Sequence, residues 1–352
     1  MTTVGVLGCT GAVGAATVDL LDGLAVTVRP AGRNPDAVRR AAGERGVVAD
    51  VDDPGGLAAF CAGCDVVVDC TGPADRIGDR VAAAALAAGA DYVSPADTCQ
   101  PGRVPAGRRV VLGAGMTPGL SALLPRALAA GHFDRLDRLT AHLGGRDRFT
   151  PAAAADYLAG MRDRDRRSGA AWAGGRLVPG RLEPLRDAEL PHFPGRVTAH
   201  PFLSAEAQWL AGALGVEEVH WYHVFDGDHA LSVLGRVDPD APDAVERVVR
   251  AAELDLFGRA AYQQMVFQLD GASAGRPTSR VLTLRGTDSY ALTALALALA
   301  VEQLLDGRLP DGVSHAGRAL DVETTLRRLA AAPAVRWLDV VEGATAVEEG
   351  VL

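Results

Sequence analysis

The chain has no lysine. All 35 of its basic residues are arginines, and Asn34 is its one asparagine. Without a lysine amine, a Schiff-base enzyme, a P-loop NTPase and a Tyr-x-x-x-Lys reductase are all excluded. Cysteine is scarce as well. Five cysteines, an odd number in 352 residues, build no disulfide framework. Cys61 and Cys64 make a lone C-x-x-C. With no second pair nearby it is not expected to bind zinc, and two small residues at a helix–strand junction are favoured over a redox pair. The longest apolar helical pattern, residues 291–301, is too short to span a bilayer. No basic n-region and apolar h-region mark a secretory signal. The net charge of −9 carries no electrostatic footprint for nucleic acid or an anionic membrane. These absences lead to the expectation of a cytoplasmic protein with a small-molecule partner, no bound metal, and no nucleic-acid or membrane partner.

What is present begins at residue 4. An apolar run, Val4 to Leu7, reads as a buried strand, and Gly8, Gly11 and Gly14 follow at a spacing of three. A helical pattern then runs over 15–21. Strand, Gly-rich turn and helix in that order form a dinucleotide fingerprint. Gly8 permits a tight turn. Gly11 removes a Cβ where a pyrophosphate approaches the backbone, and Gly14 lets helix and strand pack closely. The helix N-terminus offers free N–H groups and a positive dipole end to the phosphates. The G-x-x-G-x-x-G spacing is a variant that also serves in NADP-binding proteins.

A length of 352 residues suggests about two domains, and 48% hydrophobic with 22% charged residues is ordinary for a globular protein. The first third alternates strand and helix. Strands are expected at 25–29, 47–49, 65–69, 91–93 and 109–112, with helices at 35–42, 54–62 and 74–88. Short connections match a doubly wound parallel sheet. From about residue 136 the pattern changes. Strands are expected at 136–143, 219–225, 231–237, 265–270 and 280–285, and helices at 152–166, 205–214 and 241–257. Residues 169–201 read as loop, and the charge run at 162–167 reads as a solvated helix face. The result would be an α+β domain on a mostly antiparallel sheet. A helix apolar nearly all round, 289–305, should be buried against the first domain.

The chemistry-bearing residues cluster at strand ends. Arg33 and Asn34 follow the second strand, where an NAD enzyme usually places an acid for the ribose 2′-OH. A guanidinium there suits a 2′-phosphate, so NADP(H) is favoured over NAD(H); an exposed surface arginine is the plain alternative. Thr71, Gly72 and Pro73 end the fourth strand and would bring flat backbone to the ribose–nicotinamide side. Gly115 and Met116, in a turn closed by Thr117-Pro118-Gly119, follow the sixth strand and suggest contact with nicotinamide or substrate. Asp97, at the carboxyl end of the fifth strand, is a candidate proton donor, as are His200, Tyr222 and His223. His220 and His223 imitate an H-x-x-H metal pair, but on a strand they would fall on opposite faces.

At these residues the chain resembles the saccharopine dehydrogenase-like (saccharopine reductase-type) NAD(P)-dependent oxidoreductases. The resemblance lies in Gly8-x-x-Gly11-x-x-Gly14, Asp69-Cys70-Thr71-Gly72-Pro73, Gly89-Ala90-Asp91-Tyr92-Val93-Ser94 and Gly115-Met116-Thr117-Pro118-Gly119-Leu120. A Gly-rich hairpin at 271–285 and a tail beginning Leu309-Pro310-Asp311-Gly312-Val313 extend it, though it is strongest before residue 125. It implies a Rossmann domain (1–132), an inserted α+β substrate and dimerisation domain (133–287), and a C-terminal return to the first domain (288–352). It implies a homodimer and hydride transfer between a nicotinamide and a C=N bond, often in an amino-acid-derived substrate. Its cofactor residues would be Gly8, Thr10, Gly11, Ala12, Val13, Gly14, Arg33, Thr71, Gly72, Pro73, Gly115 and Met116. Residues 150–230 match no substrate signature. With no lysine, enzymes that use a lysine as acid or base are no mechanistic model. Two alternatives remain at this stage. One is a reductase of an activated C=C bond, such as a carrier-bound acyl chain approached along an arginine-rich rim at 162–167. The other is a non-catalytic NADP-binding regulator.

Overall fold

The computed structural model describes residues 1–161 and 168–343. They divide into two compact units: Met1–Leu123 with Ser289–Ala334, and Leu124–Asp288 with the stretch from Val335. The strands, in chain order, are β1 (Thr3–Leu7), β2 (Thr27–Gly32), β3 (Val47–Val48), β4 (Val66–Asp69), β5 (Asp91–Val93), β6 (Arg109–Leu112), β7 (Arg135–Arg146), β8 (Ala171–Ala173), β9 (Arg176–Val178), β10 (Leu185–Glu189), β11 (Arg196–Pro201), β12 (Glu218–Phe225), β13 (Tyr262–Ser273), β14 (Arg276–Gly286), β15 (Gly312–His315) and β16 (Val335–Glu342).

The first unit is a seven-stranded parallel sheet in the order β15-β6-β5-β4-β1-β2-β3. The order reverses between β1 and β4, the switch point at which a doubly wound sheet opens a crevice. Alternate residues feed two cores. Val4, Val6, Val66, Val68, Val93 and Val111 face one side, against the helices Ala12–Leu21 and Ser289–Leu305. Leu7, Val67, Tyr92, Val110 and Leu112 face the other, against Pro54–Cys61 and Arg80–Ala87. Burial on both faces is why the strands are continuous apolar runs. It is also why Ser289–Leu305, with twelve of its seventeen residues buried, is apolar almost all round.

The second unit is a nine-stranded mixed sheet whose main path is β10-β11-β12-β7-β13-β14-β16, with the β8–β9 pair attached to β12. One central pair, β7 with β12, is parallel; the other pairings are antiparallel.

Several elements differ from expectation. The helix expected at 74–88 is two helices, Ala74–Ile77 and Arg80–Ala87, because Gly78 between them takes a φ of 59°, in the left-handed region that a continuous helix cannot pass through. Residues 231–237 are not a strand. Asp228–Leu234 is a helix whose first turn is capped by a distant carboxylate: Asp255 accepts from the N–H groups of His229 and Ala230 at 3.0 and 2.8 Å. That cap comes from the helix Ala244–Leu256 and has no local signature. The loop expected at 169–201 holds β8 to β11, with Gly174 and Gly175 turning between β8 and β9 at φ 59° and 78°. The helix expected at 152–166 is described as Pro151–Met161; the arginine run at 162–167 lies outside the described residues. The tail expected to remain with the first domain leaves it again. Val335–Glu342 pairs with β14, because the edge of that sheet offers an unpaired ladder of backbone donors and acceptors. Among the described residues no helix is long and apolar enough to cross a membrane.

Candidate cofactor and active site

The chain leaves β1 and turns at Gly8, whose φ is 89°. The N–H groups of Gly8 and Cys9 both donate to Ala31 O at 2.9 Å, tying the turn to the end of β2. A Cβ on Gly8 would lie 2.6 Å from Cys70 O, and one on Gly14 would lie 2.2 Å from Gly8 O. Rigid backbone therefore closes both positions to any side chain. Gly11 is different. A Cβ there would meet only Gly8 O, at 3.3 Å, and the residue is exposed. Packing therefore presses far less on position 11 than on 8 or 14, and glycine there also leaves the backbone open to a docking group. Gly11 caps Ala12–Leu21 with no side-chain hydrogen bond, so the first turn keeps its dipole end open to an anion. Thr10 is exposed beside it, with Ala12 and Val13 half-buried. This cradle fits a dinucleotide pyrophosphate.

After β2, Arg33 is exposed. Asn34 Oδ1 accepts from Ala37 N–H at 3.0 Å and caps Pro35–Ala42, so that oxygen serves the helix. β4 ends on Asp69, a buried carboxylate. It accepts from Thr71 N–H at 2.9 Å, Thr71 Oγ1–H at 2.5 Å and Tyr92 O–H at 2.9 Å. Burial pushes the Asp69 carboxyl up against the pull of those hydrogen bonds. The carboxylate thereby shapes the half-buried turn Thr71-Gly72-Pro73, whose Gly72–Pro73 peptide is cis.

At the ends of β5 and β6 two turns interlock. Gly113 N–H donates to Ala96 O, and Ala114 N–H to Ser94 O, both at 2.9 Å. Gly115 N–H reaches Pro118 O at 2.9 Å, and Met116 N–H reaches Thr293 Oγ1 at 3.3 Å. Asp97 is exposed beside this turn, its Cβ 3.7 Å from where a Cβ on Gly113 would sit. One residue here escaped the sequence reading. His315 ends β15 in register with Leu112, the last residue of β6, and is half-buried at the same edge. Burial and Arg318 push its imidazole down, and the Asp97 carboxylate opposes them. Gly312-Val313-Ser314-His315 has one large apolar residue and no alternation, so nothing local marked it as a strand.

The other three proton-donor candidates belong to the second unit. His200 and His223 are register partners on β11 and β12, so they leave the same face of the sheet. His200 lies edge-on to Phe225 at 6.0 Å, and His223 packs on Phe202 at 5.4 Å. Tyr222 alternates to the other face and stacks on His142 at 5.2 Å and 14°. The three therefore do not form one constellation. His220 shares Tyr222's face, with Nε2 3.1 Å from Glu218 Oε1. Among the described residues no group of three or more His, Cys, Asp or Glu could hold a metal ion. Burial and His220 push the His142 imidazole down to about 4. Burial pushes Glu218 up, but hydrogen bonds from Arg181, His220 and Arg138 outweigh it and leave the carboxyl at about 2.

A charge cluster of this unit has no sequence signature either. Buried Asp226, just past β12, accepts from Arg146 Nη1 at 3.0 Å, Arg259 Nη2 at 2.6 Å and Tyr262 O–H at 2.7 Å. Arg285 covers the Tyr262 ring at 4.0 Å and lies 5.2 Å from that of Trp337. Only the pairing of β7, β12, β13, β14 and β16 brings these positions together.

Comparison with known proteins agrees with this architecture. Residues 4–107 match the family described as the saccharopine dehydrogenase NADP binding domain. No curated protein matches the chain. Among solved structures, the fold is similar to apo histidine-tagged saccharopine dehydrogenase (L-Glu forming) from Saccharomyces cerevisiae. That match has a TM-score of 0.67 at 15% identity and covers 98% of this chain and 100% of that one. An engineered D-amino acid dehydrogenase bound to NADP+ matches with a TM-score of 0.50 at 14% identity, over 94% of this chain and 99% of that one. With the nucleotide cradle, the reversed strand order and the family match all in one sheet, residues 4–107 form a saccharopine dehydrogenase NADP binding domain, in a chain whose fold is similar to that of a saccharopine dehydrogenase.

Proposed function

We propose that this enzyme reduces a C=N bond, an imine or iminium, in a small amino-acid-derived substrate, with NADPH as the reductant. The bound nicotinamide would supply the hydride. Gly8, Thr10, Gly11, Ala12, Val13 and Gly14 would carry the pyrophosphate, Arg33 and Asn34 the adenosine end, and Thr71 to Pro73 with Gly115 and Met116 the nicotinamide side. A preformed iminium needs no strong acid, so a chain without lysine can still protonate the product nitrogen through a weak donor and water. Asp97 is our candidate for that role, assisted by His315. His200, Tyr222 and His223 are candidates for shaping the substrate pocket. In this reading residues 133–287 serve as the substrate and dimerisation domain of a cytoplasmic homodimer.

The observation that carries the reading is the shared edge of β5, β6 and β15. Asp97 and His315 flank the Gly113–Gly119 turn there, at the carboxyl ends of the strands, the side of an open α/β sheet on which ligands bind. The names of the two structural neighbours, a saccharopine dehydrogenase and a D-amino acid dehydrogenase, are consistent with chemistry at a carbon–nitrogen bond.

The test is a titration of the protein with NADPH and NADH at fixed salt, followed by NADPH oxidation with a panel of cyclic imines and a parallel panel of enoyl thioesters. Preference for NADPH that is lost in Arg33→Ala, turnover of an imine, and a fall in kcat in Asp97→Asn with KM little changed are the expected results. Turnover of enoyl thioesters alone would replace the reading by C=C reduction. Cofactor binding without turnover of either class would favour a regulator.

A further inference from the structure

Two arginines pair with one carboxylate beyond the ends of β3 and β4, and the charge of a third, Arg33 after β2, acts on it through space. Asp52, four residues past β3, pairs through Oδ1 with Arg80 Nη1, and its Oδ2 lies 3.6 Å from Arg76 Nη2. Arg33, at the end of β2, acts on the same carboxylate through space, and the hydrogen bond from Arg80, with the nearby charges of Arg80, Arg76 and Arg33, holds the Asp52 carboxyl below its ordinary range. The other acids of these turns are engaged by backbone. Asp50 Oδ1 accepts from Asp52 N–H at 3.0 Å, Asp53 Oδ1 from Gly55 N–H at 3.1 Å, and Asp75 Oδ1 from Arg76 N–H at 2.8 Å.

The arginines are not equivalent. Arg80 is pinned, with Nε donating to Ile77 O at 3.0 Å and Nη2 to Arg76 O at 2.6 Å. Arg76 is loose: its side chain is 68% exposed, and its approach to Asp52 is longer than a hydrogen bond. The group thus consists of a fixed guanidinium, a carboxylate leaning on it and a loose guanidinium, with the exposed Arg33 acting on the carboxylate through space.

We propose that Asp52 is a built-in stand-in for a phosphate monoester, and that the 2′-phosphate of NADP(H) displaces it from Arg76 and binds between Arg76 and Arg33, while Arg80 retains Asp52. This rests on the NADP assignment and adds Arg76 as a specificity residue and Asp52 as a competitor. The physical reason is a difference in strength. An exposed carboxylate–arginine pair is weak and screened by salt, whereas a phosphate monoester brings close to two charges and three acceptor oxygens matched to the guanidinium fork. NAD(H) presents a neutral hydroxyl at the same place and cannot displace the carboxylate. The device lets the 2′-phosphate, and not the rest of the nucleotide, decide whether the fork opens.

Calorimetric titration of the wild type, Arg76→Ala and Asp52→Asn with NADPH and NADH, at low and high salt, tests this. Arg76→Ala should weaken NADPH on the order of tenfold, the worth of one lost charge-assisted hydrogen-bonding partner, and leave NADH unchanged. Asp52→Asn should tighten NADPH several-fold and leave NADH unchanged, with the gain shrinking at high salt. Equal weakening of both nucleotides by Arg76→Ala, or weaker NADPH binding by Asp52→Asn, would overturn the proposal. A wild type that prefers NADPH while both variants are silent would overturn it and keep the cofactor assignment. A wild type that binds neither nucleotide would overturn both.

Discussion

The two sheets of this protein place their polar residues differently. In the first unit the strands are parallel and covered on both faces, so the interior of β4 is Val66, Val67 and Val68 and its polar chemistry begins at Asp69. The candidate site residues of this unit lie at the carboxyl edge, in turns whose geometry is set by backbone contacts such as Gly14 against Gly8 O. In the second unit the strands carry polar side chains within the sheet. Tyr222 and His142 stack on one face, while His200 and His223 leave the other. Asp226 gathers two arginines and a tyrosine at the end of β12. A parallel α/β sheet concentrates chemistry at its edge, whereas a mixed sheet distributes it over faces that only strand pairing defines.

The contrast can be broken most directly at Asp226. Asp226→Ala leaves the buried end of the Arg146 pair without its counter-charge and should cost about 3–5 kcal/mol, read as a shift in the denaturant midpoint. A cost below 1 kcal/mol would show that the cluster is solvated and that the second sheet is no less apolar in effect than the first.

A pair of glycine changes sharpens the edge half of the comparison. Gly14→Val drives side-chain atoms into Gly8 O and should cost about 2–4 kcal/mol, lowering Tm and abolishing NADPH binding together. Gly11→Ala meets one backbone oxygen at 3.3 Å, a contact relieved by a small shift, and should cost less than about 1 kcal/mol while still weakening NADPH. Equal stability losses at the two positions would mean that Gly11 is also a packing glycine.

pH separates the units more gently. His142 is held at about 4 against a usual 6.5, so the unfolded chain binds its proton first. The stabilisation is therefore complete above pH 6.5 and is lost as pH falls towards 4. Glu218, held at about 2 against 4.5, continues the loss from pH 4.5 downwards. With allowance for partial exposure, the His142 contribution is on the order of 1–2 kcal/mol. The stability of His142→Phe, which keeps an aromatic stack on Tyr222, should change less than wild type between pH 7 and pH 5.

The smallest effect concerns the first unit alone, which holds all five cysteines. Burial pushes Cys61, Cys70 and Cys99 up to about 12. A disulfide reagent at pH 8 should therefore label them slowly in the folded protein and rapidly in denaturant. Fast labelling of the native protein would mean that the core around β4 opens readily.

Legibility in the sequence follows the same division. The helices 35–42, 205–214 and 289–305 and the strands 91–93 and 109–112 lie where local pattern puts them, because each carries its own periodicity and punctuation. The long strands β7, β13 and β14 are legible at their centres but not at their ends, which are polar and paired only in the sheet. The helix Asp228–Leu234 is not legible because its cap comes from Asp255, and neither is β15, whose neighbour β6 lies some 200 residues earlier in the chain, with Gly312 in register with Arg109.

By itself the sequence determined the α/β class of the first domain, its glycine cradle and its likeness to a saccharopine dehydrogenase NADP binding domain, because those properties are written in contiguous residues, beginning with a strand, a turn and a helix within the first twenty-one. Only the tertiary structure decided that His315 stands beside Asp97's turn, that Arg76 and Arg80 meet at Asp52, and that Tyr222 faces away from His200 and His223. Each of those facts depends on strand order and register, which are set by the packing of distant segments and leave no local trace.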